Sequence, residues 1–74
     1  MRLQYSSDAD AAYLQLADEI GPGGVASTYL CDTTQIGGMI NLDFDSGGRL
    51  VGIEIMDASK FLPPEALAEA RVQS

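Results

Sequence analysis

The feature that most restricts the fold is a pair of alternating segments on either side of the residues "DSGG". Apolar and polar residues alternate in both segments, and side chains of a strand point alternately to its two faces. The apolar positions are Ile40, Leu42 and Phe44 before the turn and Val51, Ile53 and Ile55 after it. Aspartate, serine and glycine favour tight turns. The pattern therefore predicts a β-hairpin with one shared apolar face.

The turn also predicts the pairing register of this hairpin. With residues 45–48 as the loop, three pairs follow: Phe44 with Arg49, Leu42 with Val51 and Ile40 with Ile53. The same register places Glu54 opposite Met39. We therefore expect the acidic residues of the hairpin to spread along the polar face rather than to converge.

The hairpin has a competing interpretation, because its residues also fit the loop of a calcium-binding EF-hand. Asp43, Asp45 and Glu54 occupy acidic loop positions, and Gly48 stands at the glycine position. The preceding residues, "QIGGMINL", contain adjacent glycines and a period of two, which disfavours the incoming helix. We predict no metal site and no cofactor. Asp43, Asp45 and Glu54 remain the residues that a metal-dependent or carboxylate-based enzyme would use.

Other segments complete the predicted sheet. Residues 3–5 alternate and precede the turn-forming run "SSDAD", and residues 25–31 are rich in β-branched and aromatic side chains. The segment "AAYLQLA" fits a helix or a strand, and its propensity favours a helix. Asp10 and Asp57 stand at turns, where we expect them to accept hydrogen bonds from nearby backbone N–H groups.

The last part of the chain predicts a helix over residues 64–72, with prolines at its start and Glu65 in its first turn. We therefore predict one α+β domain over residues 1–74, with four or five antiparallel strands in meander order and a C-terminal helix. The strands would span residues 3–5, 13–16, 25–31, 39–44 and 49–55. Leu67 would add to the apolar face of the central hairpin.

Charge and residue types exclude several functions. Eleven acidic residues against four basic ones give a net charge of −7, which would repel a phosphate backbone, so we expect no direct nucleic-acid binding. The chain has no histidine, so the commonest general base is absent and Cys31 lacks an activating imidazole. We therefore predict no catalytic residue and favour a function that is not enzymatic.

The size of the chain favours a partner. A chain of 74 residues buries only about 60% of its unfolded surface, and one cysteine cannot form an internal disulfide. Four apolar residues lie off the main apolar face and are our interface candidates: Tyr13, Leu30, Leu50 and Met56. We expect a homodimer or another homo-oligomer. No apolar run is long enough to span a bilayer, and we expect a cytoplasmic protein.

Two blocks of the sequence, "QYSSDADAAYLQLA" and "NLDFDSGGRLVGIEIMDASKFL", resemble a family of small prokaryotic proteins, domain-of-unknown-function family 2283. The corresponding residues in the first block are Tyr5, Asp10, Ala12 and Tyr13. Those in the second block are Asp43, Asp45, Gly48, Arg49, Val51, Gly52, Ile53, Glu54, Ile55, Asp57, Ala58 and Ser59. Ser6 departs from the family pattern, which usually has aspartate at that position.

The resemblance implies that residues 13–16 form a strand paired with residues 3–5. It supplies no established activity, catalytic residue or cofactor. Some members of the family are suspected partners of small toxin-like proteins. Together with the acidic charge, this favours a self-associating protein interaction module that resembles an antitoxin and binds a small basic protein.

Overall fold

The strands of the chain form one mixed sheet in a computed structural model that describes residues 1–73. The strands are β1 (Arg2–Ser6), β2 (Ala11–Gln15), β3 (Ser27–Leu30), β4 (Ile40–Phe44), β5 (Leu50–Met56) and β6 (Arg71–Gln73). Two short helices, α1 (Ala58–Phe61) and α2 (Pro64–Glu69), lie between β5 and β6. The predicted class, a small antiparallel α+β fold with a helical C-terminal segment, is confirmed.

The order of the strands, β3-β4-β5-β2-β1-β6, differs from a simple meander. β3, β4 and β5 follow one another, but β2 pairs with β5 instead of β3. This pairing places Ala12 opposite Ile55 and Leu14 opposite Ile53. The apolar residues of the N-terminal hairpin therefore extend the apolar face of the central hairpin, which pairing with the exposed β3 would not achieve.

The predicted register of the β4–β5 hairpin is wrong by two residues. Leu42 lies opposite Ile53, and Asn41 rather than Met39 lies opposite Glu54. One residue of the shift comes from the turn, because the Asp45 N–H donates to the Arg49 carbonyl at 2.9 Å and shortens the loop. The second comes from a β-bulge next to Asp43 and Phe44. A shift of two residues preserves the alternation, so Ile40, Leu42, Ile53 and Ile55 still share one face.

The segment "AAYLQLA", which fitted either a helix or a strand, contains the strand β2. The helix favoured by propensity is wrong, and the strand implied by the family resemblance is confirmed, although it begins at Ala11 and ends at Gln15. β2 is hydrogen-bonded on one side to β1 and on the other to β5. Ala12 is only 2% exposed there. Tertiary pairing on both edges outweighs the helix propensity of two alanines.

The C-terminal segment differs from the single predicted helix. α2 ends at Glu69, since Ala70 is extended (φ −67°, ψ 149°), and the backbone of Arg71–Gln73 pairs in parallel with β1. The prediction that the helix continues to residue 72 is therefore wrong. α1 begins directly after the predicted turn at Asp57. β3 is also shorter than the predicted strand over residues 25–31.

The chain crosses the sheet after β5. β2 pairs antiparallel with both β5 and β1, and β1 pairs in parallel with β6. β5 and β6 therefore run parallel, although β2 and β1 lie between them. The connection that contains α1 and α2 must therefore pass over one face of β2 and β1. It does not have to cover β3 or β4, and all four residues of β3 are exposed.

The core that results is thin. Among the described side chains, the buried apolar ones are Ala12, Val51 and Ala58, and no large side chain is fully buried. An apolar row crosses the sheet from β1 to β3 through directly opposed residues, namely Leu3, Leu14, Ile53, Leu42 and Tyr29. We call the side of the sheet that carries this row the apolar face. Its first four residues are half-buried, while Tyr29 is 61% exposed.

Candidate functional site

The opposite side of the sheet carries a polar cluster that we define as Tyr13, Thr28, Asn41, Asp43 and Glu54. Strand alternation places these side chains together, because Tyr13 lies opposite Glu54, Glu54 opposite Asn41, and Asp43 opposite Thr28. The cluster thus draws on four strands, β2 to β5, and is the main concentration of hydrogen-bonded polar side chains in the sheet.

Tyr13 lies across Gly52, which faces the same side of the sheet. A Cβ built on Gly52 would overlap the phenol ring, with Cε2 at 2.7 Å. Gly52 is therefore needed for a close approach of the ring to the backbone of β5. The Tyr13 hydroxyl donates to Asp43 Oδ2 at 2.8 Å, and the Thr28 hydroxyl donates to Asp43 Oδ1 at 2.8 Å. Both oxygens of this carboxylate are thus engaged, one by the adjacent strand β3 and the other by β2, which lies beyond β5.

The environment of Tyr13 favours its neutral form. Burial raises its pKa to about 12, and the hydrogen bond to Asp43 and the negative charges of Asp43 and Glu54 act in the same direction. A phenol with this pKa is protonated throughout the neutral range. It serves as a hydrogen-bond donor to Asp43, and it is poorly suited to act as a general base.

Asn41 forms the second half of the polar cluster. Its Nδ2 donates to Glu54 Oε1 at 2.9 Å, and the residue is only 8% exposed. Its Oδ1 is buried and has no hydrogen-bond partner among the described residues. A buried amide oxygen without a donor costs free energy. The Asn41 side chain therefore fixes Glu54 at the cost of one unsatisfied acceptor.

The three metal candidates are held separately. Asp45 lies in the turn, where its Oδ1 accepts hydrogen bonds from the Gly47 and Arg49 N–H groups, each at 2.9 Å. Asp43 and Glu54 accept the hydrogen bonds described above, Asp43 from Tyr13 and Thr28 and Glu54 from Asn41. Strands rather than helices flank the turn, so the loop lacks the helices of an EF-hand. Within residues 1–73, no group of three or more candidate ligand residues is arranged to hold a metal ion.

A second cluster, which we call the Asp10 junction, joins the N-terminal hairpin to α1. Asp10 Oδ1 accepts hydrogen bonds from the Tyr5 hydroxyl at 2.8 Å and from the Ser59 N–H at 3.0 Å. Asp10 Oδ2 accepts from the Ser59 hydroxyl at 2.7 Å, and the Ala58 N–H donates to the Asp10 carbonyl at 2.9 Å. The hydrogen bonds from Ser59 and Tyr5 lower the pKa of Asp10. This aspartate thus ties three segments together.

Both turn aspartates adopt left-handed backbone conformations, with φ of 49° at Asp10 and 52° at Asp57. The prediction that the Asp10 carboxylate accepts a hydrogen bond from a nearby backbone N–H is wrong, because the N–H that donates to it belongs to Ser59, 49 residues away. Asp57 precedes α1 and makes no hydrogen bond from its side chain to the helix. Sequence reasoning missed the link from Asp10 to Ser59. Its only signal was that both residues belong to the two family-like blocks.

The interface candidates do not form one patch. Leu30 and Tyr13 lie in the same row of the polar side, with Asn41 and Glu54 between them. Leu30 is 68% exposed and Leu50 is 36% exposed, whereas Tyr13 and Met56 are half-buried. Several exposed large apolar side chains lie on β3 or on the segments beside it, namely Val25, Tyr29, Leu30, Ile36 and Met39. Met1 and Leu50 are also exposed and lie elsewhere.

Most side-chain donors and acceptors of the two clusters are satisfied within the described part of the chain, with Asn41 Oδ1 as the exception. Carboxylates of Asp10, Asp43 and Glu54 each accept hydrogen bonds from the protein, which positions strands and α1 relative to one another. Cys31 is a half-buried free thiol. Neither helix in the described part of the chain has the length and apolarity needed to cross a bilayer.

The comparisons with known proteins return one match. No curated protein and no solved structure matches the chain. The sequence model of one family, described as "Protein of unknown function (DUF2283)", matches residues 2–59. The matched part contains the first five strands, both clusters and the start of α1. The resemblance predicted from the two sequence blocks is thereby confirmed, and the chain belongs to the DUF2283 family.

Proposed function

We propose that the protein is a self-associating protein interaction module and that it is not an enzyme. The observation that carries this proposal is the thin core: three small or medium apolar side chains are buried, and no large side chain is fully buried. The apolar face of the sheet remains half-exposed over β4 and β5 and is most exposed at β3.

The energetic argument is that such a chain gains stability by covering this face. Burial of apolar surface contributes about 25 cal/mol per Å², and a half-exposed face leaves much of that contribution unused. The chain has no internal disulfide to compensate, since it has a single cysteine. A second copy presents the same exposed apolar side chains, so association of two copies can remove part of them from water without any further component.

The acidic charge supports a further part of the proposal, a small basic protein as an additional partner. A net charge of −7 on a chain of 74 residues favours encounter with a basic surface and disfavours nucleic acid. This resembles the arrangement of an antitoxin and its toxin. The partner would bind a preformed oligomer, because self-association stabilises the chain first.

Light scattering coupled to size exclusion tests the proposal, with runs in EDTA, in calcium and in manganese. We expect a mass of at least twice 7.8 kDa that does not change with the ion. Thermal unfolding at several protein concentrations should show a melting temperature that rises with concentration. A monomer at micromolar concentration, with a melting temperature independent of dilution, would refute self-association. An ion-dependent mass or melting temperature would favour the carboxylate alternative.

A further inference from the structure

We propose that β3 pairs antiparallel with β3 of a second copy, around a two-fold axis that passes beside Tyr29. This inference deepens the proposed function, because it names the surface through which the chain self-associates. Within residues 1–73, β3 is an edge strand with β4 as its one pairing partner. Its residues Ser27–Leu30 are all exposed, and none of them is charged.

The backbone of β3 presents hydrogen-bonding groups on its open side. The Cys31 N–H donates to the carbonyl of Ile40 at 2.9 Å. The register of β3 and β4 places these two residues directly opposite each other. Because such pairs alternate along an antiparallel ladder, Tyr29 also turns its N–H and carbonyl groups toward β4. The corresponding groups of Thr28 and Leu30 then point to the open side.

Only one register of two copies uses all of these open groups. If Thr28 of each copy lies opposite Leu30 of the other, each of these residues both donates and accepts a backbone hydrogen bond. Tyr29 then lies opposite Tyr29 of the second copy as a non-hydrogen-bonded pair. The arrangement is self-complementary, as a two-fold interface requires.

The side chains favour a second copy over a basic partner at this edge. β3 carries no lysine or proline and no bulge in its pairing with β4, although natural proteins commonly use such devices to protect an exposed edge. The edge lacks a charge that would attract a basic protein. It also lacks the like charges that would repel a second acidic chain.

The pairing would also join the two apolar faces. Tyr29 is the last residue of the apolar row and is 61% exposed. In the proposed register the two Tyr29 rings meet across the axis, and the apolar row continues from one copy into the next. Aromatic pairs across antiparallel strands are stabilising. The most exposed part of the apolar face would thus become its centre.

Cysteine scanning at positions 28, 29 and 30 tests this register in the full chain. The scan uses a Cys31→Ala background, so that each variant carries a single thiol. Tyr29→Cys would place the two Cα atoms about 4.5 Å apart, within the range of a disulfide. Thr28→Cys and Leu30→Cys are matched controls. Their own symmetry mates would lie about 8 Å apart, which is too far for a disulfide.

We expect a disulfide-linked dimer on a non-reducing gel for Tyr29→Cys, and little linkage for the two controls. Linkage at position 28 or 30 instead of 29 would overturn the register. A dimer by light scattering that links at none of these positions would overturn the use of β3 and leave the proposed function standing. A monomer by light scattering would overturn both.

Leu30→Pro tests the use of the edge without relying on the register. It removes an N–H that points to the open side, so the pairing of β3 with β4 is retained. We expect the dissociation constant of the dimer to rise roughly tenfold or more, with a folded chain by circular dichroism. Leu30→Ala keeps the N–H and separates the loss of the side chain from the loss of the donor. Equal dimerisation of Leu30→Pro and Leu30→Ala would contradict the backbone pairing.

Discussion

The close approach of Tyr13 to Gly52 makes Gly52→Ala an unusually informative substitution. An added Cβ would overlap the hydroxyl and ring atoms of Tyr13, which do not form the end of a flexible chain. The ring must therefore rotate or lift from β5. Either movement takes the hydroxyl away from Asp43, to which it donates at 2.8 Å.

The expected cost follows from two contributions. Overpacking at a well-filled position costs about 1–3 kcal/mol, and losing a hydrogen bond to a charged acceptor costs about 1.5–3 kcal/mol. We expect Gly52→Ala to lower the free energy of unfolding by about 3 kcal/mol. For a domain of this size, that corresponds to a melting temperature lowered by about 12–24 °C.

If the Tyr13 ring causes the loss of stability, the effect of Gly52→Ala should change sign when the ring is removed. In a Tyr13→Ala background the space above Gly52 is empty, and alanine is preferred to glycine inside a strand by about 0.5–1 kcal/mol. Gly52→Ala should therefore stabilise that variant slightly. Gly21→Ala is a control, since its Cβ would meet nothing within 4 Å.

The assay is a double-mutant cycle measured by chemical denaturation at one protein concentration, which keeps any self-association constant. We expect a coupling free energy of about 3–4 kcal/mol between positions 13 and 52. An equal loss of stability from Gly52→Ala in both backgrounds would show that the Tyr13 ring is not the obstacle, and our account of this contact would fail.

Three further predictions concern single residues. Because the pKa of Asp10 is lowered in the folded chain, its ionised carboxylate stabilises the fold at pH values above the ordinary aspartate pKa of 3.8, and this stabilisation is lost as the pH falls below that value. Acid unfolding of Asp10→Asn should lack this loss of stability. Because the pKa of Tyr13 is raised in the folded chain, the free energy of unfolding should fall as the pH rises from about 10 to about 12. Tyr13→Phe should abolish this loss in alkaline denaturation, and its absorbance titration should lack the tyrosine that ionises near pH 12. Gly48 has a φ of 80°, so Gly48→Ala should cost about 1–2 kcal/mol in urea unfolding, whereas Gly47→Ala, without positive φ, should cost clearly less.

Local patterns predicted the elements of the sheet better than their arrangement. The alternation around "DSGG" correctly predicted two paired strands with a shared apolar face, because alternation is a property of each strand alone. The register depends on the turn geometry and on the bulge beside Asp43, which alternation does not reveal. The two-residue shift was therefore invisible in the pattern, since it leaves the same residues on the same face.

Prediction of the strand order and of the two clusters requires information about residues that are distant in the sequence. β2 was assigned correctly only through the family resemblance, because its alanines favour a helix when considered alone. The Asp10 junction and the contact of Tyr13 with Asp43 each join residues that are at least 30 positions apart. Their residue types alone are compatible with many other partners.

The insertion of β5 between β4 and β2 has a consequence for how the chain acquires its structure. β1 and β2 can form a local hairpin early, but the other edge of β2 is unpaired until Leu50–Met56 is available. Such long-range pairing slows folding, because the entropy of closing the intervening loop must be overcome first. During synthesis the N-terminal hairpin must therefore wait for β5 to leave the ribosome. Until then β2 is a second open edge, and chaperone binding or premature pairing with another chain would compete for it.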